Sequence, residues 1–427
     1  MTRVPYKWSS DKPPTIKSHS IAKLDVLRSY LLRYFETLVT PHQDELRLTL
    51  IDGFCGGGLY EHELSKQLIL GSPFVLLEAA KEAEQLINQN RRKPVRINAD
   101  YFFVDHDPTA ISVLEKTLRD QEYGHRIGGD IRLIHGRFEA VCDSIRASIR
   151  QKSPRSGRAL FFLDQYGYQE VPTSLITSIF AEMPAAEVIL TFNIDAFINF
   201  ANDSTITEES LRRIGIPDAL RGRSIHEIKR SEKDFRLYIQ SCLYQDLVEA
   251  CGARFYTVFF IRTKGHGDYW LVHLSQHPRA RDVMTEVHWA KKNNFIHYGG
   301  AGIDMFKVLG YSAEGDTALS GQGSFGFCFD NLAAKASISA LAEQLPRIIH
   351  ARPEGISFGE LFTATCNSSP ADSSKYKEAL VNLVQHKEID IMGPGGARRR
   401  SIGTITDHDQ LVSARQTSFA FRPLKKS

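Results

Sequence analysis

Leu48-Thr-Leu-Ile-Asp-Gly-Phe-Cys-Gly-Gly-Gly58 decides the reading of the fold: an apolar run ends in a carboxylate and passes at once into a glycine turn that holds Phe54 and Cys55. A strand buried on both faces of a parallel sheet reads as a continuous apolar run, and glycines after it let backbone approach a neighbour where a Cβ would collide. The pattern predicts a strand feeding a nucleotide-type cradle, with Asp52, Phe54, Gly56 and Gly58 at the site. Glycine turns also close ordinary loops, so the segments downstream have to decide.

Four more runs follow. Asn98-Ala-Asp-Tyr-Phe-Phe-Val-Asp-His-Asp107 ends in carboxylates before a helical pattern over residues 108–118. Acids at the carboxyl end of the second strand of a doubly wound sheet accept hydrogen bonds from ribose hydroxyls, which makes Asp105 or Asp107 the candidate. Ile131-Arg-Leu-Ile-His-Gly-Arg-Phe-Glu139 brings up Phe138 and Glu139, an aromatic and an acid able to flank an adenine ring. Ala159-Leu-Phe-Phe-Leu-Asp164 stops at Asp164, with Tyr166 and Tyr168 just beyond, either to stack on a flipped base or to line the core edge. Glu187-Val-Ile-Leu-Thr-Phe192 follows a helix-like stretch over 174–182, so strand and helix alternate as parallel βαβ units require. After an amphipathic stretch over 233–250, the runs 254–262 and 269–274 are joined by Lys264-Gly-His-Gly-Asp268. That turn leaves no room for a crossover helix, so this last pair is predicted antiparallel.

Five alternating strands closed by such a hairpin resemble the seven-stranded, Rossmann-like α/β fold of class I S-adenosylmethionine-dependent methyltransferases. The resemblance implies that Asp52 orients the cofactor, that the glycine backbone passes under its methionine moiety, and that Asp105 or Asp107 holds its ribose. It also implies adenine contacts from Phe138 and Glu139, and a catalytic segment opening at Asp164. Exocyclic-amine adenine methyltransferases carry an acid or Asn, two prolines and an aromatic there. This chain reads Asp164-Gln165-Tyr166-Gly167-Tyr168, without the prolines.

Over residues 15–290 the chain also resembles the three-Cys-motif partner protein (TcmP) family. The resemblance rests on Lys17-Ser-His-Ser-Ile-Ala-Lys-Leu-Asp-Val-Leu-Arg-Ser-Tyr-Leu31, on Asp52-Gly-Phe-Cys-Gly-Gly-Gly58 and on Leu163-Asp-Gln-Tyr-Gly167. It implies a separate partner protein bearing a cysteine triplet.

The 427 residues exceed the length at which one core usually stops growing, so more than one domain is expected. Residues 1–45 form an N-terminal segment and helix, 46–280 the methyltransferase-like domain, 281–335 a helical extension and 336–427 a winged-helix-like domain. No run of about 18 uncharged apolar residues occurs, and residues 1–8 lack an apolar secretory segment, so the expectation is a cytoplasmic protein without a membrane span. Six scattered cysteines at no ligand spacing argue against disulfides and zinc, and no histidine pair stands at helical spacing beside an acid, so no metal is expected. A cytosine-ring methyltransferase needs a Pro-Cys nucleophile loop, and no Pro-Cys dipeptide occurs.

Beyond Pro13-Pro14, Ile21, Leu24, Leu27, Leu31 and Leu32 recur at helical spacing and predict an apolar stripe facing the sheet. Lys17, His19 and Lys23 sit near the start of that helix, where cations oppose the dipole unless an anion meets them. Lys17 and Lys23 are therefore candidate substrate contacts, although a solvated face also fits. The stretch 193–230 is longer than a compact connection and carries Arg221, Arg223, Lys229 and Arg230, which reads as a substrate-recognition insertion or as a solvated loop.

Near the end, residues 357–366 and 375–385 read as two helices before a hairpin with Gly393-Pro-Gly-Gly396 at its tip, a pattern that resembles a winged helix-turn-helix. Arg398, Arg399 and Arg400 on the wing suit phosphates, and such domains also dock proteins. Net charge is only +3, so any footprint for DNA or RNA is local. The sequence thus points to an S-adenosylmethionine-dependent methyltransferase acting on nucleic acid, with amine methylation by Asp164. The other reading is a non-catalytic adaptor for the three-Cys-motif partner.

Overall fold

The computed structural model describes residues 6–9, 12–232, 235–262, 268–291, 296–297, 300–303, 305 and 327–414. The chain divides into two units. The larger holds the residues through His297 together with Phe327–Cys328 and Phe329, and the smaller holds Asp330 onward together with 300–303 and 305.

In the larger unit the central strands are β2 (Glu45–Asp52), β5 (Arg96–Asp105), β6 (Ile131–His135), β7 (Ala159–Leu163) and β8 (Ala186–Phe192), followed by β9 (Phe255–Arg262) and β10 (Asp268–Ser275). They stand in the order β6-β5-β2-β7-β8-β10-β9, and two short strands, β11 (Ile296–His297) and β12 (Phe327–Cys328), extend the β9 edge. The pairs β6·β5, β5·β2, β2·β7 and β7·β8 are parallel. β10 runs antiparallel to both β8 and β9. This is the Rossmann-like seven-stranded methyltransferase sheet with its antiparallel last strand. The turn expected at 264–268 lies almost wholly outside the described residues.

The apolar runs earn their position. Every residue of β7 and β8 is buried, as is the whole second half of β2, because helices cover both faces. Crossovers through α2 (Ser72–Asn88) and α3 (Pro108–Asp120) carry the chain outward from β2 to β6. The crossovers through α4 (Phe138–Lys152) and α5 (Thr173–Glu182) then build the other half of the sheet. With right-handed connections these two helix pairs fall on opposite faces, and the strand order reverses between β2 and β7. A crevice at that reversal, outside the carboxyl ends of the strands, is where such sheets bind ligands.

α1 (Ser18–Leu38) packs against α2 and against α10 (Pro278–Ala290). Its buried face is Lys23, Val26, Leu27, Tyr30, Leu31, Tyr34 and Phe35. The predicted stripe is thus rotated: Leu27 and Leu31 are in it, whereas Ile21, Leu24 and Leu32 stay partly exposed. Tyrosines, which a purely aliphatic count passes over, supply the missing area. The stretch 193–230 holds three short helices, α6 (Ile194–Phe200), α7 (Thr205–Ile214) and α8 (Ile225–Ser231), before α9 (Phe235–Ala250).

An element absent from the sequence reading follows the glycine turn directly. β3 (Leu59–His62) and β4 (Leu68–Leu70) form a hairpin, and β1 (Thr15–Ile16) pairs parallel with β3. Gly58 begins that excursion at φ +72°, and a Cβ there would lie 2.6 Å from Leu114 Cδ1 and 2.9 Å from Phe74 Cε2. Both neighbours are buried. Gly58→Ala is expected to cost about 2–5 kcal/mol, combining left-handed strain with overpacking, and to lower the thermal midpoint. An unchanged midpoint would contradict the packing described.

In the smaller unit, α11 (Asn331–His350) packs on α13 (Ser373–Gln385) and on β15 (Gln410–Ser413). Between α11 and α13 lie β13 (Ile356–Ser357) and α12 (Phe358–Thr365), whose Ser357 and Glu360 form a reciprocal capping box. β14 (Ile389–Met392) completes a three-stranded sheet in the order β13-β15-β14, giving a winged helix. The strand paired with β14 along its length is Gln410–Ser413, beyond the segment that the sequence pattern marks. The turn at 393–396 folds back only far enough for a single bridge, Met392 to Arg398. Of the expected extension over 281–335, residues 292–295, 298–299, 304 and 306–326 lie outside the described residues.

Candidate active site

Three carboxylates end three adjacent strands of the larger unit. Asp52 is the last residue of β2, Asp105 the last of β5, and Asp164 follows the last residue of β7. Because β5, β2 and β7 are neighbours in parallel register, the three acids stand on one rim. Backbone stitches the turn to that rim: Gly53 N donates to Phe162 O at 3.0 Å and Cys55 N to Val104 O at 3.0 Å.

Asp105 holds the glycine turn itself. Its Oδ2 accepts from Gly56 N at 2.9 Å and its Oδ1 from Asp107 N at 2.9 Å. Asp107 instead caps α3, its Oδ1 accepting from Thr109 N at 2.8 Å. The two acids therefore separate by geometry, Asp105 at the rim and Asp107 at a helix start.

Asp52 is fully buried. Its Oδ1 accepts from Phe54 N at 3.2 Å, and no described group hydrogen-bonds its Oδ2. Burial pushes its carboxyl up to about 7; the neighbouring Ser72 hydroxyl and the Phe54 amide pull the other way, and Asp164 and Asp105 push it further up. Cys55, beside it, is also fully buried, and burial together with Asp52 and Asp105 drives its thiol well above the ordinary range. It is a packing residue, not a nucleophile.

The close approach that the glycines permit is made by the chain's own Trp8. A Cβ on Gly56 would stand 2.6 Å from Trp8 Cζ2, and one on Gly57 would stand 2.4 Å from Trp8 Cε3. Tyr60 from the β3 hairpin meets Trp8 edge-on at 5.1 Å between ring centroids, and Tyr6 meets Tyr60 at 5.4 Å. An indole therefore roofs the turn. No sequence spacing pointed to it.

Beside the turn lies a cavity of about 190 Å³ lined by Tyr6, Lys17, His19, Lys23, Asp164, Gln165, Tyr166 and Tyr269 among others. Lys23 Nζ donates to both oxygens of Asp164, at 2.5 and 2.6 Å. The Lys23 side chain is 7% exposed and that of Asp164 26%. Lys23, expected to meet a substrate anion, is thus neutralised by the expected catalytic acid. Gln165 is buried, and its Oε1 accepts from Glu170 N at 2.9 Å and Val171 N at 3.2 Å, which fixes the shape of the loop after Asp164. His19 stacks on Tyr269 at 5.0 Å. Tyr166 is 41% exposed at this cavity, whereas Tyr168 packs on Phe192 and Phe197 in the core edge.

Phe138 is buried beside the turn, against Gly53 and between Phe54 and Phe161, and Glu139 is exposed in the first turn of α4. Arg221 is paired bidentately with Asp246, and Arg223 with Glu232 while lying over the Tyr238 ring. In the winged helix, Arg398 is 3.7 Å from Asp390, and Arg399 Nε donates at 3.3 Å to Asp409, which is fully buried. Arg400 has no described partner. Arg399→Ala should therefore destabilise the winged helix by about 1–3 kcal/mol, since the buried Asp409 would keep only the Thr406 amide at 2.8 Å, while Arg400→Ala should leave stability within about 0.5 kcal/mol. Urea melts of the two variants check this, and equal midpoints would refute it.

Residues 310–396 match the family described as a GMT-like wHTH domain. No curated protein matches the chain in sequence. Among solved structures, protein LPL1258 from Legionella pneumophila aligns over 63% of this chain and 92% of its own, at 12% identity and a TM-score of 0.33. The precorrin-6y C5,15-methyltransferase from Geobacter metallireducens aligns over 64% and 100%, at 10% identity and a TM-score of 0.30. SMU.1697c, a putative methyltransferase from Streptococcus mutans in complex with SAH, aligns over 61% and 98%, at 10% identity and a TM-score of 0.25. The GMT-like match thus spans the winged-helix elements from α11 through β14 and its turn.

Proposed function

We propose that the chain is an S-adenosylmethionine-dependent methyltransferase that acts on an exocyclic amine of a nucleic acid. The observation that carries this reading is the convergence of Asp52, Asp105 and Asp164 on one rim at the reversal of strand order, with a glycine turn between them. The residues fit the group. The turn, at φ +58° and +72° at Gly56 and Gly58, offers a backbone surface that already takes a flat ring in contact, and the Asp52 carboxyl lies buried at its base.

The cofactor supplies a methyl group already activated on a sulfonium, so positioning carries most of the catalysis. Gly56 to Gly58 and Asp105 form the cradle, with Trp8 moving aside or forming its wall. Asp164 accepts a hydrogen bond from the amine and aims its lone pair, while Tyr166 offers a ring face to the base. For Asp164 to do so, Lys23 must yield one of its two bonds. Arg400 on the wing is the open cation for a phosphate.

Calorimetry with S-adenosylmethionine, followed by transfer of a radiolabelled methyl group onto total DNA and total RNA, tests the reading. Cofactor binding with label on neither polymer would refute the substrate assignment, and no binding would refute the cofactor. One observation favours a second reading: the indole over the turn and the clamp on Asp164 close the two places where chemistry would occur. On that reading the chain is an adaptor with a methyltransferase-like fold, binding a partner protein with a three-cysteine motif. Co-purification with that partner, without cofactor binding, would support it.

A further inference from the structure

A second cavity, about 330 Å³, opens at the opposite end of the same sheet. Its walls come from the amino end of β8, the carboxyl end of β10, Arg158 just before β7, the second half of α1 and the start of α10. This volume falls in the range of small-ligand pockets, which are mostly apolar with a few convergent polar groups. Leu38, Pro184, Ala280 and Val283 supply apolar wall here, with the rings of Tyr30 and Tyr34.

Thr37, Ser275, Gln276, His277 and Arg279 also line it, and three other polar groups converge on it. Tyr34 is 3% exposed, its hydroxyl has no hydrogen-bond partner among the described residues, and burial holds that hydroxyl far above its ordinary range. It therefore stays protonated and is a donor without an acceptor, which costs free energy unless something in the cavity accepts from it. Arg158, near enough to act on Tyr34 electrostatically, makes no described side-chain hydrogen bond or ion pair. Glu187 lines the same cavity and, like Arg158, is near enough to act on Tyr34 electrostatically. The Tyr30 hydroxyl donates to its Oε2, and His273 Nε2 lies 2.9 Å from the same oxygen. Both bonds use Oε2, and Oε1 has no hydrogen bond among the described residues.

We propose that this cavity binds a compact, ring-bearing small molecule with an anionic group for Arg158 and Tyr34 and an N–H donor for Glu187. Aromatic amino acids and nucleoside monophosphates share that chemistry. The site is independent of the rim that carries the proposed methyl transfer, since none of its lining residues belongs to that rim.

Titration calorimetry of the full chain with L-phenylalanine and, separately, with adenosine 5′-monophosphate tests the proposal and tells the two sources apart. One probe is expected to bind at one site per chain. Arg158→Ala removes a charge-assisted contact and should weaken it about 10- to 100-fold. Ala280→Trp fills the cavity and should abolish binding with the thermal midpoint retained; Leu38→Trp serves the same purpose should the first variant fail to fold. Absence of binding by both probes would overturn the proposal. Binding that survives a folded cavity-filling variant would overturn it too, because the probe would then sit elsewhere.

Discussion

Asp164→Ala is expected to lower methyl transfer about 10²–10³-fold, the loss that follows removal of one preorganised hydrogen-bonding group from an active site. The substitution also removes the carboxylate that Lys23 grips with both bonds. Lys23 is almost fully buried, so the variant should also lose about 1–3 kcal/mol of stability from a poorly paired ammonium. The two losses can be separated. Adding Lys23→Met to Asp164→Ala removes the stranded cation and should restore most of the stability, while transfer stays low because the acceptor is still missing. Full transfer by Asp164→Ala, measured with the radiolabelled methyl donor, would remove Asp164 from the reaction.

Asp52→Asn is expected to stabilise the protein at pH 8 and to leave it unchanged at pH 4. The Asp52 carboxyl moves from an ordinary 3.8 up to about 7 because it is wholly buried. Below about pH 4 it is protonated in both folded and unfolded chains and contributes nothing. Between about pH 4 and 7 the unfolded chain ionises while the folded chain keeps its proton, so the folded state binds more protons and stability falls as pH rises. Above about pH 7 the full cost is present. At about 1.36 kcal/mol per pH unit over the gap between the two values, it amounts to about 4 kcal/mol. An uncharged Asn escapes it, so chemical denaturation at pH 4, 6 and 8 should show the variant's advantage growing from nil. A difference independent of pH would show that Asp52 is not held protonated. The same burial predicts that a cationic ligand beside Asp52 binds more tightly as pH climbs through 7, since the cation favours the ionised carboxylate.

The sheet was legible because its strands are buried on both faces, and that condition writes itself into sequence as unbroken apolar runs such as Leu160 to Leu163. The acids that stop those runs were legible for the same reason: Asp52, Asp105 and Asp164 each stand where an apolar stretch gives way at the rim. Pairings between distant segments were not. Lys23 and Asp164 are 141 positions apart, and nothing local to either announces the other. Trp8 lies outside any periodic pattern, so its seat on the glycine turn follows only from the β1 to β3 pairing, which two residues of strand cannot advertise. Phe138 could not be placed from sequence, since an aromatic after a strand suits a ligand wall and a core equally well; the fold buries it between Phe54 of the turn and Phe161. The wing arginines looked alike as a run of three, but the fold gives Arg399 a buried carboxylate and leaves Arg400 open.

The seat of Trp8 also gives the molecule a built-in optical probe. The chain has three tryptophans; Trp270 is fully buried and Trp289 nearly so, which leaves Trp8 as the half-exposed one. Its fluorescence therefore senses the glycine turn, and a molecule arriving there must alter the emission maximum or its quenching. Occupancy of the rim can then be followed in unlabelled protein, in real time, with Trp8→Phe as the blank.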